Sequence, residues 1–312
     1  MPRPNFPRTI FEFNQWFPDE EACAKFLIAS RWLNGFVCPS CGGHEYYFIS
    51  TRRLLQCKSC SHQVSPTAGT VMHRSKMPLL LWFQAAYLVT THTPGMSALQ
   101  FQRQVGLSSY QTAFTMLHKL RAAMEREGRD RLSGTVEVDE TYIGGPKSGP
   151  RGRGALGKTI VAGAVDIHGR SANRIRLRVI PNITQNTLLA FVQENVEEGS
   201  TVKTDELKSY KPLEQAGYVH DVGLDLAHIH RVFSNLKTWL LGTHHGVSPQ
   251  HLQAYLNEYM FRFNRRNTPM AAFQTVLGLI GTRLGPTYKG LYGVKKGRTE
   301  WVHPNPIPEL TR

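Results

Sequence analysis

The chain has 312 residues, 41% hydrophobic and 10% aromatic, a composition that excludes a disordered polypeptide and provides for two or three domains with buried cores. Lys and Arg number 37 against 23 Asp and Glu, a formal charge of +14, which points to a polyanionic partner, nucleic acid foremost. No apolar run of about 18 residues is present, so no transmembrane helix is expected, and the opening "MPRPNFPRTIFEFNQW" lacks the apolar stretch of a signal peptide, so an intracellular protein without a membrane partner is expected.

Residues 1–36 form an N-terminal segment in which Phe17, Ala24, Leu27, Ile28 and Trp32 recur at helical spacing. Cys23 stands alone there and reads as a buried structural thiol. Residues 37–70 hold the other four cysteines in two Cys-x-x-Cys pairs, Cys38 with Cys41 and Cys57 with Cys60, separated by residues 42–56. Each pair suits a tight knuckle, and two knuckles present four thiolates tetrahedrally to Zn²⁺. The strand-like "YYFIS" and "LLQ" between them make this a zinc ribbon. Four cysteines leave no open coordination position, so the metal is expected to hold the fold rather than to catalyse. Arg52, Arg53 and Lys58 decorate the knuckles, equally suited to phosphate contact or to a solvated face.

Residues 75–130 read as helices. "MPLLLWFQAAYLVTTH" has Pro78 suited to a first turn. Ser97 can cap a following helix, Gly106 can end it, and Ser108 or Ser109 can cap the next. Two helices across a short glycine turn form a helix-turn-helix for DNA, or else an αα-hairpin that only packs.

From Gly134 the texture changes to strands. "TVEVDETYIGG" and "NRIRLRVIP" alternate, "TIVAGAVDIHG" is a short apolar run, and helix-like "TQNTLLAFVQENV" precedes the strands "STVKTDE" and "YVHDVGLD". This pattern predicts an α/β domain, residues 134–285, whose sheet mixes antiparallel and parallel pairs, with a tail at 286–312. Asp139 and Asp205 each end or interrupt a strand, and each is followed by Glu. If the strands are neighbours, the two aspartates converge as hard oxygen ligands for Mg²⁺ or Mn²⁺. Two such ions activate a water or 3′-hydroxyl and stabilise the leaving oxygen of a phosphodiester. Singly, either aspartate reads as a cap or turn residue. Between the first two strands runs the basic, glycine-rich loop "GGPKSGPRGRGALGKT", whose Lys147, Arg151, Arg153 and Lys158 suit a phosphate backbone, or a flexible hairpin without a role.

The ribbon, the helical pair, "VEVDETYIGG", "VKTDELKSY" and "FSNLKTWLLGTHHGVSPQHLQAYLNEYMFRFNRR", in that order, resemble the zinc-ribbon DDE-type insertion-sequence transposases of the ISXO-like group. The resemblance spans roughly residues 20 to 270. It implies an RNase H-like catalytic domain, metal-dependent DNA cleavage and strand transfer with two divalent ions, and catalytic acids at Asp139 and Asp205. It further implies double-stranded DNA partners, namely transposon-end inverted repeats and target DNA, a homo-oligomer assembled on DNA, and a cytoplasmic, nucleoid-associated location in a prokaryote.

The third residue of that family is usually Glu, seven residues before a Lys. Here Lys237 is the Lys, and the position seven before it is His230. At ~100° per residue seven steps make ~700°, so the two share one helix face to within about 20°, whereas Asn235 faces away. A histidine in this place suits Mn²⁺ better than Mg²⁺, or orients the attacking water without ligating. Glu258 reads as a helical ion-pair partner of Arg262, His228 as a polar turn residue, and His244, His245 and His251 as packing or DNA-contact residues. The alternatives to a transposase are an RNase H-like nuclease for other nucleic acids and a non-enzymatic zinc-ribbon, helix-turn-helix regulator.

Overall fold

The computed structural model describes residues 6–125, 128–144, 158–223 and 225–292, which fall into two compact units, residues 1–124 with 267–312 and residues 125–266.

The first unit opens with α1 (Ile10–Trp16) and α2 (Glu20–Arg31), started by the side chains of Thr9 and Asp19, which accept from the amides of Glu12 and Ala22 at 3.1 and 2.8 Å. A three-stranded antiparallel ribbon follows, β1 (Tyr46–Ile49), β2 (Leu54–Cys57) and β3 (Gln63–Val64). Pro78 stands at the cap of α3 (Leu79–Thr91), just outside its first turn, and gives no side-chain cap. The Glu20 carboxylate replaces it, accepting from Leu79 N–H at 3.0 Å and Leu80 N–H at 2.7 Å. Next come α4 (Ala98–Val105) and α5 (Tyr110–Met124), joined as their turn signals predict: Ser97 caps α4, and Gly106 ends it at φ 68°, a left-handed turn.

The unit closes with α9 (Pro269–Thr282) and α10 (Tyr288–Tyr292). The expected catalytic domain ran to residue 285, yet α9 packs with α2, α3 and α5, and the second unit ends at 266. Aromatic packing gives the physical reason. The Phe273 ring lies 5.4 Å from Tyr87, 5.7 Å from Phe13 and 6.2 Å from Phe17, among side chains almost fully withdrawn from water. A buried Phe contributes roughly 1.5–3 kcal/mol, more than a short linker can oppose. Segments expected as separate pieces, 1–36, 37–70 and 75–130, lie almost wholly in this one unit. Of the expected tail, residues 293–312 lie outside the described residues.

The second unit is built on a five-stranded sheet of β4 (Thr135–Ile143), β5 (Thr159–His168), β6 (Ser171–Ile180), β7 (Thr201–Thr204) and β8 (Val219–Val222), in the order β6-β5-β4-β7-β8. The pairs β4/β5 and β5/β6 are antiparallel, while β4/β7 and β7/β8 are parallel. The helix α6 (Gln185–Asn195) connects β6 to β7 and buries Leu188, Phe191 and Val192 with Val136, Val138, Ala162 and Ala164 of one sheet face. The other face carries α7 (Ala227–His244) and α8 (Leu252–Phe263), with Ile229, Phe233, Leu236, Tyr255 and Leu256 packed on Val161, Val165, Ile175 and Leu177. Three antiparallel strands, a crossover helix and two parallel strands, sandwiched by helices, constitute the RNase H-like arrangement that the resemblance implies.

The free edge of β6 is covered by side chains of one face of α8 and its cap. Ile175 N–H donates to Asn264 Oδ1 at 2.8 Å, Leu177 N–H to Met260 Sδ at 2.9 Å, and Val179 N–H to Gln253 Oε1 at 2.9 Å.

Candidate active site and metal centre

Sequence spacing and parallel pairing together place the two aspartates. In the β4/β7 ladder Thr135 faces Thr201 and Glu137 faces Lys203, a constant offset of 66, and the ladder ends two residues before Asp139 and Asp205, which are separated by the same 66 (205 − 139 = 66). Asp205 leaves the carboxyl end of β7, where its Oδ1 accepts from Leu207 N–H at 3.0 Å. Asp139 is largely buried on the central strand, with Oδ1 accepting from Glu140 N–H at 2.8 Å. Burial pushes its carboxyl above the ordinary carboxylate value and Asp205 pushes the same way, while Glu140 N–H and His230 oppose them.

The third expected residue arrives from α7. His230 lies in its first turn, 58% exposed, and donates from Nε2 to Asp139 Oδ2 at 3.1 Å. Lys237 lies seven residues on. Asp139, Glu140, Thr141, His230, Phe233, Ser234 and Lys237 line one groove of about 410 Å³, a set that does not include Asn235. Burial holds the Lys237 ammonium below its ordinary value, Lys158 adds to that, and Asp139 opposes it. Lys147, Arg151 and Arg153 lie outside the described residues.

The chain brings further groups to this place that motif reading passes over. Tyr210, buried in the turn after Asp205, donates to Glu140 Oε2 at 3.1 Å, and its hydroxyl is held well above the ordinary value by burial, Glu140, Asp139 and Asp205. Gly163 faces Asp139 across β4/β5, and a Cβ there would stand 2.7 Å from Phe233 Cε1 and Cζ, so α7 approaches the sheet through the missing side chain. His228, expected as a turn residue, is the second residue of α7, and its Nδ1 donates to buried Glu137 Oε1 at 2.7 Å. That hydrogen bond is the main reason the imidazole is raised above its ordinary value. Nothing local marks these two as partners except an acid in an apolar strand and a histidine at a helix start.

Other expectations find their places. Glu258, fully buried, meets Arg262 at 3.7 Å within α8. His244 packs edge-on against Trp239 and Tyr255 at 4.8 and 4.7 Å. Cys23 is fully buried, and burial with Glu20 and Asp19 pushes its thiol up to about 12.

In the ribbon, the ligand atoms of Cys38, Cys41, Cys57 and Cys60 all lie within 4.8 Å of one another, the one group of three or more candidate ligands so close among the described residues. The Sγ atoms of Cys38 and Cys60 stand 3.7 Å apart, and those of Cys41 and Cys57 3.6 Å. A tetrahedron with Zn–S bonds of about 2.3 Å has edges of about 3.8 Å, so the donor set fits structural zinc. The amides of Cys60 and Ser59 bring the Cys57 thiol down to about 6, whereas Cys41, against the pull of the Gly43 amide, is pushed up to about 12 by the sulfurs of Cys60 and Cys57.

The family model described as an ISXO2-like transposase domain matches residues 131–264, and a transposase zinc-ribbon domain matches residues 18–63. A protein of the transposable element ISH50 in Halobacterium salinarum is 27% identical over 278 residues, covering 79% of this chain and 91% of its own length. A transposase-like protein of Haemophilus influenzae is 30% identical over 95 residues, covering 28% of this chain and 77% of its own. Among solved structures, the catalytic core domain of BIV integrase aligns with 46% of this chain and 81% of its own at 16% identity and a TM-score of 0.27. The family matches do not favour a non-enzymatic regulator or an RNase H-like nuclease for other nucleic acids. The chain belongs to the ISXO2-like transposases, enzymes of DNA cleavage and strand transfer, and carries their zinc ribbon ahead of an RNase H-like DDE-type domain.

Proposed function

We propose that Asp139, Asp205, His230 and Lys237 are the catalytic residues with which this transposase cuts insertion-sequence ends and joins them to target DNA, acting on nucleoid DNA in the cytoplasm. The observation that carries the reading is the approach of Asp205, just past the end of β7, to Asp139 on the parallel neighbour β4, whose carboxyl it pushes up, with His230 Nε2 on Asp139. The donor set suits two Mg²⁺ or Mn²⁺ ions, since two neighbouring hard carboxylates of like charge are relieved by a cation. When bound, the ions supply activation of a water or 3′-hydroxyl and neutralise charge on the phosphodiester. Asp139 and Asp205 would hold those ions through their carboxylate oxygens. His230 Nε2 completes the site as a nitrogen ligand or aims the attacking hydroxyl, and the nitrogen donor favours Mn²⁺. Lys237, Lys158 and the loop of Lys147, Arg151 and Arg153 neutralise the DNA backbone along the groove. Inverted repeats at the element's ends are the cleavage sites, and two or more copies assemble on paired ends.

The test is nicking and strand transfer on plasmid DNA carrying the element's ends. Asp139→Ala and Asp205→Ala are expected to abolish cleavage while DNA binding persists. His230→Ala is expected to lose activity and Asn235→Ala to keep it; the reverse result would show the third residue to be misassigned.

A further inference from the structure

His230 can serve this site only if the first turn of α7 is held at a fixed depth and rotation over β4. The helix has no side-chain cap of its own, because Leu226 occupies the cap position. Its first amides therefore need acceptors from elsewhere. One comes from β4. Glu137 lies two residues before Asp139, on the same sheet face by strand alternation, and is 2% exposed. Its Oε2 accepts from Ile229 N–H at 2.8 Å, and its Oε1 from His228 Nδ1–H at 2.7 Å. His228 Nε2–H in turn points to Arg170 O, in the β5–β6 turn, at 3.3 Å. An unpaired carboxylate at this depth is unfavourable, but here it meets a helix N-terminus, where the macrodipole favours a negative charge.

The geometry points to Glu137 and His228 as positioning residues for the reaction: the pair clamps the start of α7 to the central strand, and thereby aims His230 Nε2 at Asp139 Oδ2. Two hydrogen bonds to consecutive residues, 228 and 229, fix both the height and the rotation of the turn, and His230 follows them directly in the chain. A bond to one residue alone would leave the helix free to roll. This reading rests on His230 as the third residue of the centre.

The test uses the full chain on supercoiled plasmid with MnCl₂, and follows the limiting nicking rate separately from the DNA concentration at half saturation. Glu137→Ala and His228→Ala are expected to lower the limiting rate roughly tenfold to a hundredfold, with half saturation unchanged, because a displacement of about 1 Å at reacting groups has that effect. The conservative variants Glu137→Gln, which keeps an acceptor for Ile229 N–H, and His228→Asn, which keeps a donor near the Nδ1 position, are expected to recover most of the rate. In zinc-loaded protein kept free of Mg²⁺, Mn²⁺ and DNA, the His230 Cε1–Hε1 cross-peak, assigned by its loss in His230→Asn, is expected to move in both alanine variants and to return towards its original position in the conservative ones. If Glu137→Ala does not fold, His228→Ala, at a ring 23% exposed, carries the same test. Folded alanine variants with wild-type rate and an unmoved cross-peak overturn the proposal, as does a rate loss that simply follows the fraction melted. Asp139→Ala separates the two readings: if it is dead while Glu137→Ala is normal, only the clamp fails, and if it still nicks, the catalytic centre fails and the clamp with it.

Discussion

Replacing Gly163 by alanine tests how closely α7 sits on the sheet. The added Cβ would meet Phe233 Cε1 and Cζ at 2.7 Å and Ile229 Cδ1 at 3.0 Å, where ordinary contact begins at 3.4 Å. The helix or the ring must therefore yield by 0.7 Å (3.4 − 2.7). Phe233 is buried between β5 and α7, so it has little room to rotate away. Overpacking of this kind destabilises by about 1–3 kcal/mol, and ~2 kcal/mol lowers the melting temperature of a chain of 312 residues by about 3 °C, at an unfolding entropy of about 2.1 cal/mol/K per residue. If the whole displacement reaches His230, its 3.1 Å contact with Asp139 opens to about 3.8 Å, beyond hydrogen-bond range. Calorimetry and plasmid nicking measure the two effects, and Gly163→Ala with Phe233→Leu, which removes the clashing ring atoms, is expected to recover part of both. A Gly163→Ala protein that melts and nicks like the wild type would refute the close approach, and additive losses in the double variant would place the strain elsewhere.

Two further outcomes are expected. Zinc release under a strong chelator, followed with a colorimetric indicator, should proceed at one ion per chain and abolish the ribbon's fold; retention of ribbon structure without zinc counts against the four-cysteine site. Zinc-loaded native protein should resist alkylation at Cys23, whose thiol is fully buried and pushed up to about 12, and all five cysteines should react once the chain is unfolded. Rapid native labelling at Cys23 would contradict its burial.

Local pattern carries much of this architecture. Alternation in "TVEVDETYI" and the apolar run in "TIVAGAVDIH" mark β4 and β5, and Ser97 and Gly106 bound α4, because caps and side-chain periodicity act within a few residues. The approach of Asp205 to Asp139 needs only the inference that their strands are neighbours. What escapes is set by contacts distant in sequence. The affiliation of α9 depends on Phe273 meeting Phe13, Phe17 and Tyr87, and its own periodicity says only that one face is apolar. Glu137 and His228 are 91 residues apart, and neither carries a motif. A buried acid in an apolar strand is a signal that a partner exists, but not where.

The coverage of β6 by Gln253, Met260 and Asn264 has a bearing on assembly. Its amides at residues 175, 177 and 179 are already engaged, so a strand from another molecule would have to displace three side-chain acceptors to pair with them. At the opposite end of the sheet, β8 pairs with β7 on one side and exposes Val219 and Val222. The two margins of the sheet thus differ: side chains of α8 and its cap occupy three backbone donors along β6, while β8 presents exposed valines to solvent.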